Sequence, residues 1–247
     1  MRTGKSLTLV LLALGFAGPV CADTGREFEP MPQLPVEMRA NWASVGVVNV
    51  AGKPVNSSCT GALIAPDLVL TAAHCTGDPA NLSDNREFWA GWDFGSSAAY
   101  GIGAERLVHP LYGLTKGLRR FEYDIALIRL QTPIDPDSVA PLTLAEETIE
   151  TATPYGMIGY HRRVPGAANG RFDCVRLQGS GERKLLLDCA VISGNSGAPV
   201  VVQTPQGWQI VAVVVATRGG SGAQAVPVSD WVRREYRAAV RRAQDRP

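Results

Sequence analysis

The sequence predicts an all-β protein with two β-barrels in tandem, followed by one C-terminal α-helix. Short runs rich in Val, Ile, Leu and aromatic residues recur along the chain with turn residues between them, as in barrels and sandwiches. A connection that contains Pro and Glu, 135–153, separates two such series. Strands do not alternate with long helices, which argues against an α/β sheet.

The first barrel is predicted over 41–134 and the second over 154–228. Strands of the first barrel are expected at 44–50, 61–65, 68–72, 87–92 and 125–130. Strands of the second are expected at 155–160, 172–177, 184–190, 198–203 and 208–217. The first packed element is expected to begin near Trp42.

The C-terminal segment, 229–247, carries the one long helix that the sequence predicts. Ser229 is a good N-cap residue, and apolar residues follow it at helical spacing: Trp231, Val232, Tyr236, Ala239 and Val240. The basic residues from Arg233 through Arg246 are interpreted as a solvated helix face. With 24 basic and 23 acidic residues the chain is close to neutral, so no nucleic-acid partner is expected.

The first residues, 1–22, have the features of a signal peptide. Arg2 and Lys5 supply a positive n-region, and 6–17 form an apolar h-region before a small-residue cleavage site. This stretch is short for a membrane span, which needs roughly 20 apolar residues. We therefore expect a secreted or periplasmic protein with no membrane segment after signal removal. A retained anchor and acylation of Cys21 are the weaker alternatives.

Residues 23–40 follow the signal peptide and show few sustained apolar positions. They contain Pro30, Pro32 and Pro35, and proline interrupts regular helices and central strands. The segment is expected to be a propeptide or an extended N-terminal arm.

Four cysteines remain after signal removal: Cys59, Cys75, Cys174 and Cys189. An even set in an exported protein indicates two disulfides, for which three connectivities exist. We favour Cys59 with Cys75 and Cys174 with Cys189, because each pair closes a local loop that stabilises by roughly 3 kcal/mol. A zinc site is the competing explanation, but no CxxC pair occurs. No metal or other cofactor is expected.

Three residues offer the chemistry of an activated serine. A serine hydroxyl is a weak nucleophile unless an imidazole takes its proton and a carboxylate holds that imidazole in one tautomer. Ser196 lies between glycines, His74 follows an apolar strand, and Asp124 precedes a buried one. A buried carboxylate needs a partner, and a histidine N–H is a suitable one. His109 and His161 are interpreted as surface or structural residues.

The glycines around Ser196 allow a tight turn that exposes its hydroxyl. In that turn the N–H groups of Gly194 and Ser196 can point to a common position, where they would hold a developing oxyanion. The sequence thus predicts an oxyanion hole formed by these two groups.

Three segments, TAAHC, DIALIRL and GNSGAP, resemble the signature segments of the chymotrypsin-like (trypsin-fold) serine proteases. Their order, His then Asp then Ser, differs from that of subtilisins and α/β hydrolases. The resemblance covers roughly 40–243. It implies two antiparallel six-stranded barrels and an endopeptidase that works through an acyl-enzyme. It also implies protein or peptide substrates, a monomer, and a catalytic triad of His74, Asp124 and Ser196.

The chain departs from the family next to the nucleophile. Asn195 stands where animal members have an aspartate that pairs with the amino terminus freed on activation, and no RIVGG-like site occurs near 36–44. The GNSG form is similar to that of bacterial members, including the glutamyl endopeptidases. Activation by a new amino terminus is therefore not expected.

The specificity pocket departs as well. Ala190 occupies the position at which trypsins place an aspartate for basic P1 side chains, so cleavage after Lys or Arg is not expected unless a shifted loop brings in Asp188. The other wall, with Val215 and Thr217, lacks the family's Ser-Trp-Gly and the histidine of glutamyl endopeptidases. An apolar P1 residue is favoured, and an acidic one attracted by Arg218 stays open.

That same strand also lacks the hydroxyl that often supports the triad aspartate, so Asp124 needs another donor. The main alternative function is a catalytically silent binding protein on a protease fold. Such proteins usually lose a triad residue, whereas all three are present here.

Overall fold

The computed structural model describes residues 29–50, 59–77, 86–146 and 154–245. The expected signal peptide, 1–22, lies outside these ranges, as do 23–28 of the expected arm and 147–153 of the expected connection. In the described part of the chain, no helix is long and apolar enough to cross a membrane.

The first barrel is closed and consists of six antiparallel strands. They are β1 (Val45–Val50), β2 (Cys59–Ala65), β3 (Leu68–Thr71), β4 (Arg86–Ala90), β5 (Ala99–Val108) and β6 (Ala126–Leu130). The hydrogen-bonded order is β1-β2-β3-β6-β5-β4, and β4 pairs back with β1. Buried apolar side chains fill the interior, among them Val48, Leu63, Val69, Phe88 and Ile128.

The second barrel follows a two-residue strand, β7 (Thr143–Leu144), which pairs in parallel with β12 (Gly207–Arg218). Its strands are β8 (Tyr155–Gly159), β9 (Asn169–Cys174), β10 (Leu185–Leu187), β11 (Pro199–Thr204), β12 (Gly207–Arg218) and β13 (Gly222–Pro227). The order is β10-β13-β12-β11-β8-β9. A bridge between Arg176 and Leu187 and the Cys174–Cys189 disulfide close the seam between β9 and β10. The predicted pair of six-stranded barrels is confirmed.

Both disulfides have the connectivity that the sequence analysis favoured. Cys59 bonds to Cys75 and Cys174 to Cys189, with Cα atoms 5.9 and 5.4 Å apart. The first disulfide joins β2 to the chain that follows β3, and the second spans the seam of the other barrel. Each disulfide therefore adds a covalent link beside the backbone pairing at these places.

Packing begins earlier than the sequence analysis expected. We call residues 29–34 the N-terminal arm; its Met31 and Leu34 are 1% and 4% exposed. The Leu34 N–H donates to the Ala168 carbonyl, and the Gly170 N–H donates to the Pro32 carbonyl, both at 2.9 Å. The expectation that packing begins near Trp42 was wrong, because a short, proline-rich segment bonded to a barrel edge carries no strand periodicity.

Two α-helices within the described residues flank this framework. A short helix, α1 (Val36–Arg39), connects the N-terminal arm to the 3₁₀ turn before β1. The C-terminal helix α2 (Asp230–Gln244) begins after Ser229, whose hydroxyl accepts the Val232 N–H. Val232 and Ala239 are the buried positions of α2, so its predicted start and apolar face are confirmed.

Candidate active site

His74 lies in a short turn that follows strand β3 on one side and is held by a disulfide on the other. It lies in the 3₁₀ helix Ala73–Thr76, directly after β3. Cys75 beside it is bonded to Cys59 at the start of β2. The His74 side chain is 37% exposed, so the imidazole is accessible from solvent while its backbone is anchored.

Asp124 is buried and makes two hydrogen-bonding contacts with His74. Its side chain is 2% exposed. One oxygen lies 2.7 Å from His74 Nδ1, and the other accepts the His74 backbone N–H at 2.9 Å. A carboxylate facing Nδ1 requires a proton there, so the second ring nitrogen, Nε2, is left with a free lone pair. The donor that the sequence did not identify for Asp124 is thus the backbone of His74 itself.

Tyr112 lies close enough to Asp124 for the charge of the carboxylate to affect its phenol. Burial raises the pKa of Tyr112, and the negative charge of Asp124 raises that pKa further, whereas Arg120 acts in the opposite direction. The Arg120 guanidinium lies 4.0 Å from the centre of the Tyr112 ring. Tyr112 therefore stays neutral and adds no second negative charge beside Asp124.

The loop that carries Ser196 has the glycine-dependent shape that the sequence predicts. Gly194 and Gly197 have φ values of +106° and +85°, a conformation that favours glycine. A Cβ on Gly197 would lie 2.0 Å from the Thr60 carbonyl oxygen. Ser196, between these turns, is partly exposed, so its side chain faces accessible space.

Asn195 is fully buried and satisfied without a charge partner. Its Oδ1 accepts the Ile192 N–H at 2.9 Å, and its Nδ2 donates to the Tyr160 carbonyl at 3.1 Å. An amide can donate and accept at once, whereas a carboxylate at this place could only accept. The residue that departs from the animal pattern is therefore suited to the two groups around it.

Thr60, on β2, links the Ser196 loop to the first barrel. Its N–H donates to the Ser196 carbonyl at 2.8 Å, and its hydroxyl donates to the Gly194 carbonyl at 2.9 Å. The same hydroxyl accepts the Tyr160 N–H at 2.9 Å. Thr60 follows Cys59, so Ser196 and His74 are both attached to one end of β2. Sequence reasoning missed Thr60, since a single threonine in a strand belongs to no motif.

The predicted triad residues are thus brought to one region in two different ways. His74 and Asp124 are in direct contact. Ser196 joins them through β2, and within the described residues no hydrogen bond connects its hydroxyl to His74. Such bonds are often long before a substrate binds and tighten in the complex.

The predicted specificity residues differ in exposure. Ala190 and Val215 are buried, at 6% and 3% exposure, and Thr217 is exposed. The carboxylate of Asp188 accepts the Val175 N–H at 2.7 Å. Asp188 is therefore bound to the chain that follows β9.

Two clusters of potential metal ligands occur within the described ranges. The groupings close enough to share an ion are Cys59, His74 and Cys75, and Asp173, Cys174 and Cys189. Each contains a disulfide, and it is the thiolate form of cysteine that binds metals. Neither group offers a suitable set of ligands.

The two barrels, with a His–Asp pair on one and a Gly-Asn-Ser-Gly turn on the other, define a protein of the chymotrypsin-like fold. Residues 59–213 match the family of the trypsin-like peptidase domain. The chain belongs to this family, which the three signature segments had led us to expect.

The comparisons with individual proteins agree with this assignment. The chain is 35% identical over 101 residues to kallikrein 1-related peptidase b3 of Mus musculus, and this match spans 36% of the length of each protein. A solved Glu endopeptidase in complex with MPD has a TM-score of 0.69 at 22% identity, over 86% of this chain and 98% of that one.

A second solved structure, the thermostable serine protease AL20 from an extremophilic microorganism, has a TM-score of 0.64 at 16% identity. This superposition covers 82% of the present chain and 99% of the other. At such identities both structures show that the fold is shared.

Proposed function

We propose that this protein is a serine endopeptidase in which Ser196 is the nucleophile, His74 the general base and Asp124 the carboxylate that orients it. The pairing of His74 with the buried Asp124 carries the proposal. The contact of Nδ1 with the carboxylate at 2.7 Å fixes the ring and its tautomer, and the His74 backbone N–H holds the carboxylate in place at 2.9 Å. A fixed Nε2 lone pair is what a general base requires.

The reaction follows from these roles. The Ser196 Oγ attacks the scissile carbonyl carbon while His74 Nε2 takes the hydroxyl proton, and Asp124 stabilises the imidazolium that forms. The first tetrahedral intermediate then collapses: the C–N bond breaks, and His74 gives the proton to the leaving amine. A water molecule, deprotonated by His74, then attacks the Ser196 ester. When this second tetrahedral intermediate collapses, the bond to Ser196 Oγ breaks, the acid leaves and His74 returns the proton to Oγ.

The N–H groups of Gly194 and Ser196 stabilise the oxyanion in both intermediates. Support comes from the backbone of Gly194, whose φ of +106° is suited to glycine. A Cβ at this position would also lie 2.7 Å from the His161 Cα. Each such donor is worth roughly 3 to 4 kcal/mol in comparable sites.

The protein acts outside the cytoplasm, in a periplasm or after secretion. Two disulfides support this location, because thiols are kept reduced in the cytosol. The predicted signal peptide over 1–22 provides the route.

A fluorophosphonate probe tests the nucleophile directly. The exported wild-type chain should be labelled at Ser196, and Ser196→Ala should not be labelled. Ser193→Ala is the matched control, because Ser193 is exposed in the same loop and has no assigned role. Folded, disulfide-bonded wild type that does not react would indicate a binding protein on this fold. Loss of labelling in both variants would contradict the specific assignment of Ser196 as the residue that reacts with the probe.

Cleavage is directed to apolar P1 residues and not to Lys or Arg. The buried Ala190 supports an uncharged pocket floor, and the Asp188 carboxylate is occupied by the Val175 N–H. On a mixed peptide library the wild type should cut after apolar residues. Ala190→Asp should raise the kcat/KM for Lys or Arg at P1 by about tenfold or more, since it adds a charge partner.

Asp188→Asn is the matched control for this specificity prediction. It removes a carboxylate that is bound outside the pocket, so the P1 preference should not change. A wild type that prefers Lys or Arg, and loses this preference in Asp188→Asn, would show that Asp188 forms the floor. A preference for acidic residues would instead point to Arg218.

A further inference from the structure

One segment, 160–164, lies between the N-terminal arm and the loop that carries Ser196. On the loop side, Asn195 Nδ2 donates to the Tyr160 carbonyl and the Arg162 N–H donates to the Ser193 carbonyl, both at 3.1 Å. A Cβ added to Gly194 would lie 2.7 Å from the His161 Cα. The position of the Gly194 backbone is therefore set by this segment.

The side chain of His161 makes the contact on the other side. It is 3% exposed, and its Nδ1 accepts the Val164 N–H at 3.3 Å. Because Nδ1 accepts, the ring proton lies on Nε2, which donates to the Met31 carbonyl at 2.9 Å. Both nitrogens of a buried, neutral imidazole are thus used, and one of them holds the N-terminal arm.

The N-terminal arm is built into the second barrel at the same place. Met31 belongs to the apolar core that also contains Val191, which precedes the loop of Ser196 by a few residues. Gln33 forms a bridge with Asn169 on β9. Loss of the N-terminal arm would open the Met31 site in the core and leave the Nε2–H of His161 buried without its acceptor.

We infer that the N-terminal arm is retained in the active enzyme and that His161 is a positioning residue, which transmits docking of the N-terminal arm at Met31 to the backbone of Gly194. This inference rests on the proposed function, since the oxyanion hole is what Gly194 would provide. The inference also distinguishes a removed propeptide from a retained arm over 23–40. Any proteolytic cut that leaves an active enzyme precedes Glu29. The N-terminal arm then supports the site permanently through an internal backbone carbonyl.

Two substitutions of His161 in the full exported chain test the positioning role. His161→Leu removes both ring hydrogen bonds and should lower kcat by about 10- to 100-fold with KM within about twofold, since small misplacements of catalytic groups cost rate. His161→Gln keeps an amide donor near the Nε2 position and should retain kcat within a few-fold of wild type. A merely structural histidine would not give this split between kcat and KM.

Val202→Ala controls for lost stability. Val202 is 1% exposed in the core of the second barrel, on β11, and has no contact assigned to the site. It should lower the unfolding temperature without lowering kcat. If Val202→Ala lost as much kcat as His161→Leu at equal unfolding temperature, or if His161→Leu turned over like wild type, the positioning role would be overturned.

Mass spectrometry of the fluorophosphonate-labelled wild type tests the retained arm. The labelled chain should begin at or before Glu29. A labelled, fully active chain that begins after Glu29 would overturn the inference while leaving the proposed function intact. Failure of folded wild type to label at Ser196 would overturn both, so the two failures are distinguishable.

Discussion

Asp124→Asn should lower kcat by roughly 10⁴-fold while the protein remains folded. The asparagine amide would present an N–H₂ donor to His74 Nδ1, which now faces a carboxylate oxygen at 2.7 Å. The ring would then carry its proton on Nε2 and could not accept one from Ser196. Steady-state kinetics on a peptide substrate, with thermal unfolding of the same preparation, measure both quantities.

Asp135→Asn is the control for this loss of activity. Asp135 is exposed, and its Oδ1 accepts a local N–H, that of Asp137. The amide oxygen of asparagine can keep that bond, so kcat and unfolding temperature should match wild type. A loss of less than tenfold in Asp124→Asn would contradict the tautomer role assigned to the carboxylate.

Gly197→Ala should destabilise the fold by roughly 3 to 5 kcal/mol, because backbone strain and overpacking add. The φ of Gly197 is +85°, and its added Cβ would lie 2.0 Å from the Thr60 carbonyl oxygen and 2.3 Å from Thr71 Oγ1. The Thr71 hydroxyl donates to the Thr60 carbonyl oxygen at 2.7 Å, so neither oxygen can move away freely. Urea unfolding measures the free energy of unfolding, and the activity should fall together with this stability.

Gly207→Ala measures the cost of backbone strain without a steric clash of the added Cβ. Gly207 has a φ of +104° but no atom within 4 Å of the added Cβ. This variant should lose only about 1 to 2 kcal/mol, the cost of a left-handed non-glycine residue. Equal losses in the two variants would show that the contact with Thr60 contributes nothing.

The sequence could predict those strands whose apolar residues form unbroken runs. β5 (Ala99–Val108) escaped prediction because its side chains are mostly half-exposed and two glycines interrupt it. Residues distant in sequence require glycine at these positions. A Cβ on Gly101 would lie within 3 Å of Leu130, and a Cβ on Gly103 within 3 Å of Ile128. β13 (Gly222–Pro227) was missed because alanine and glycine give a weak pattern, although the strand is mostly buried.

The site could be predicted as far as its residues lie in local motifs. His74, Asp124 and Ser196 each belong to a recognisable segment, and the glycines around Ser196 mark its turn. The contacts that position them join residues far apart in sequence: 50 residues from His74 to Asp124, 134 from Thr60 to Gly194 and 130 from Met31 to His161. Such pairings depend on the folded topology, which no short segment of sequence records.

Thr60 also limits how the two barrels can move. Opening the cleft between them would break its hydrogen bonds to Gly194, Ser196 and Tyr160. At about 1 kcal/mol each, these three bonds together disfavour that opening by roughly 3 kcal/mol. We therefore expect the two barrels to keep nearly the same relative position around Thr60 when a substrate binds.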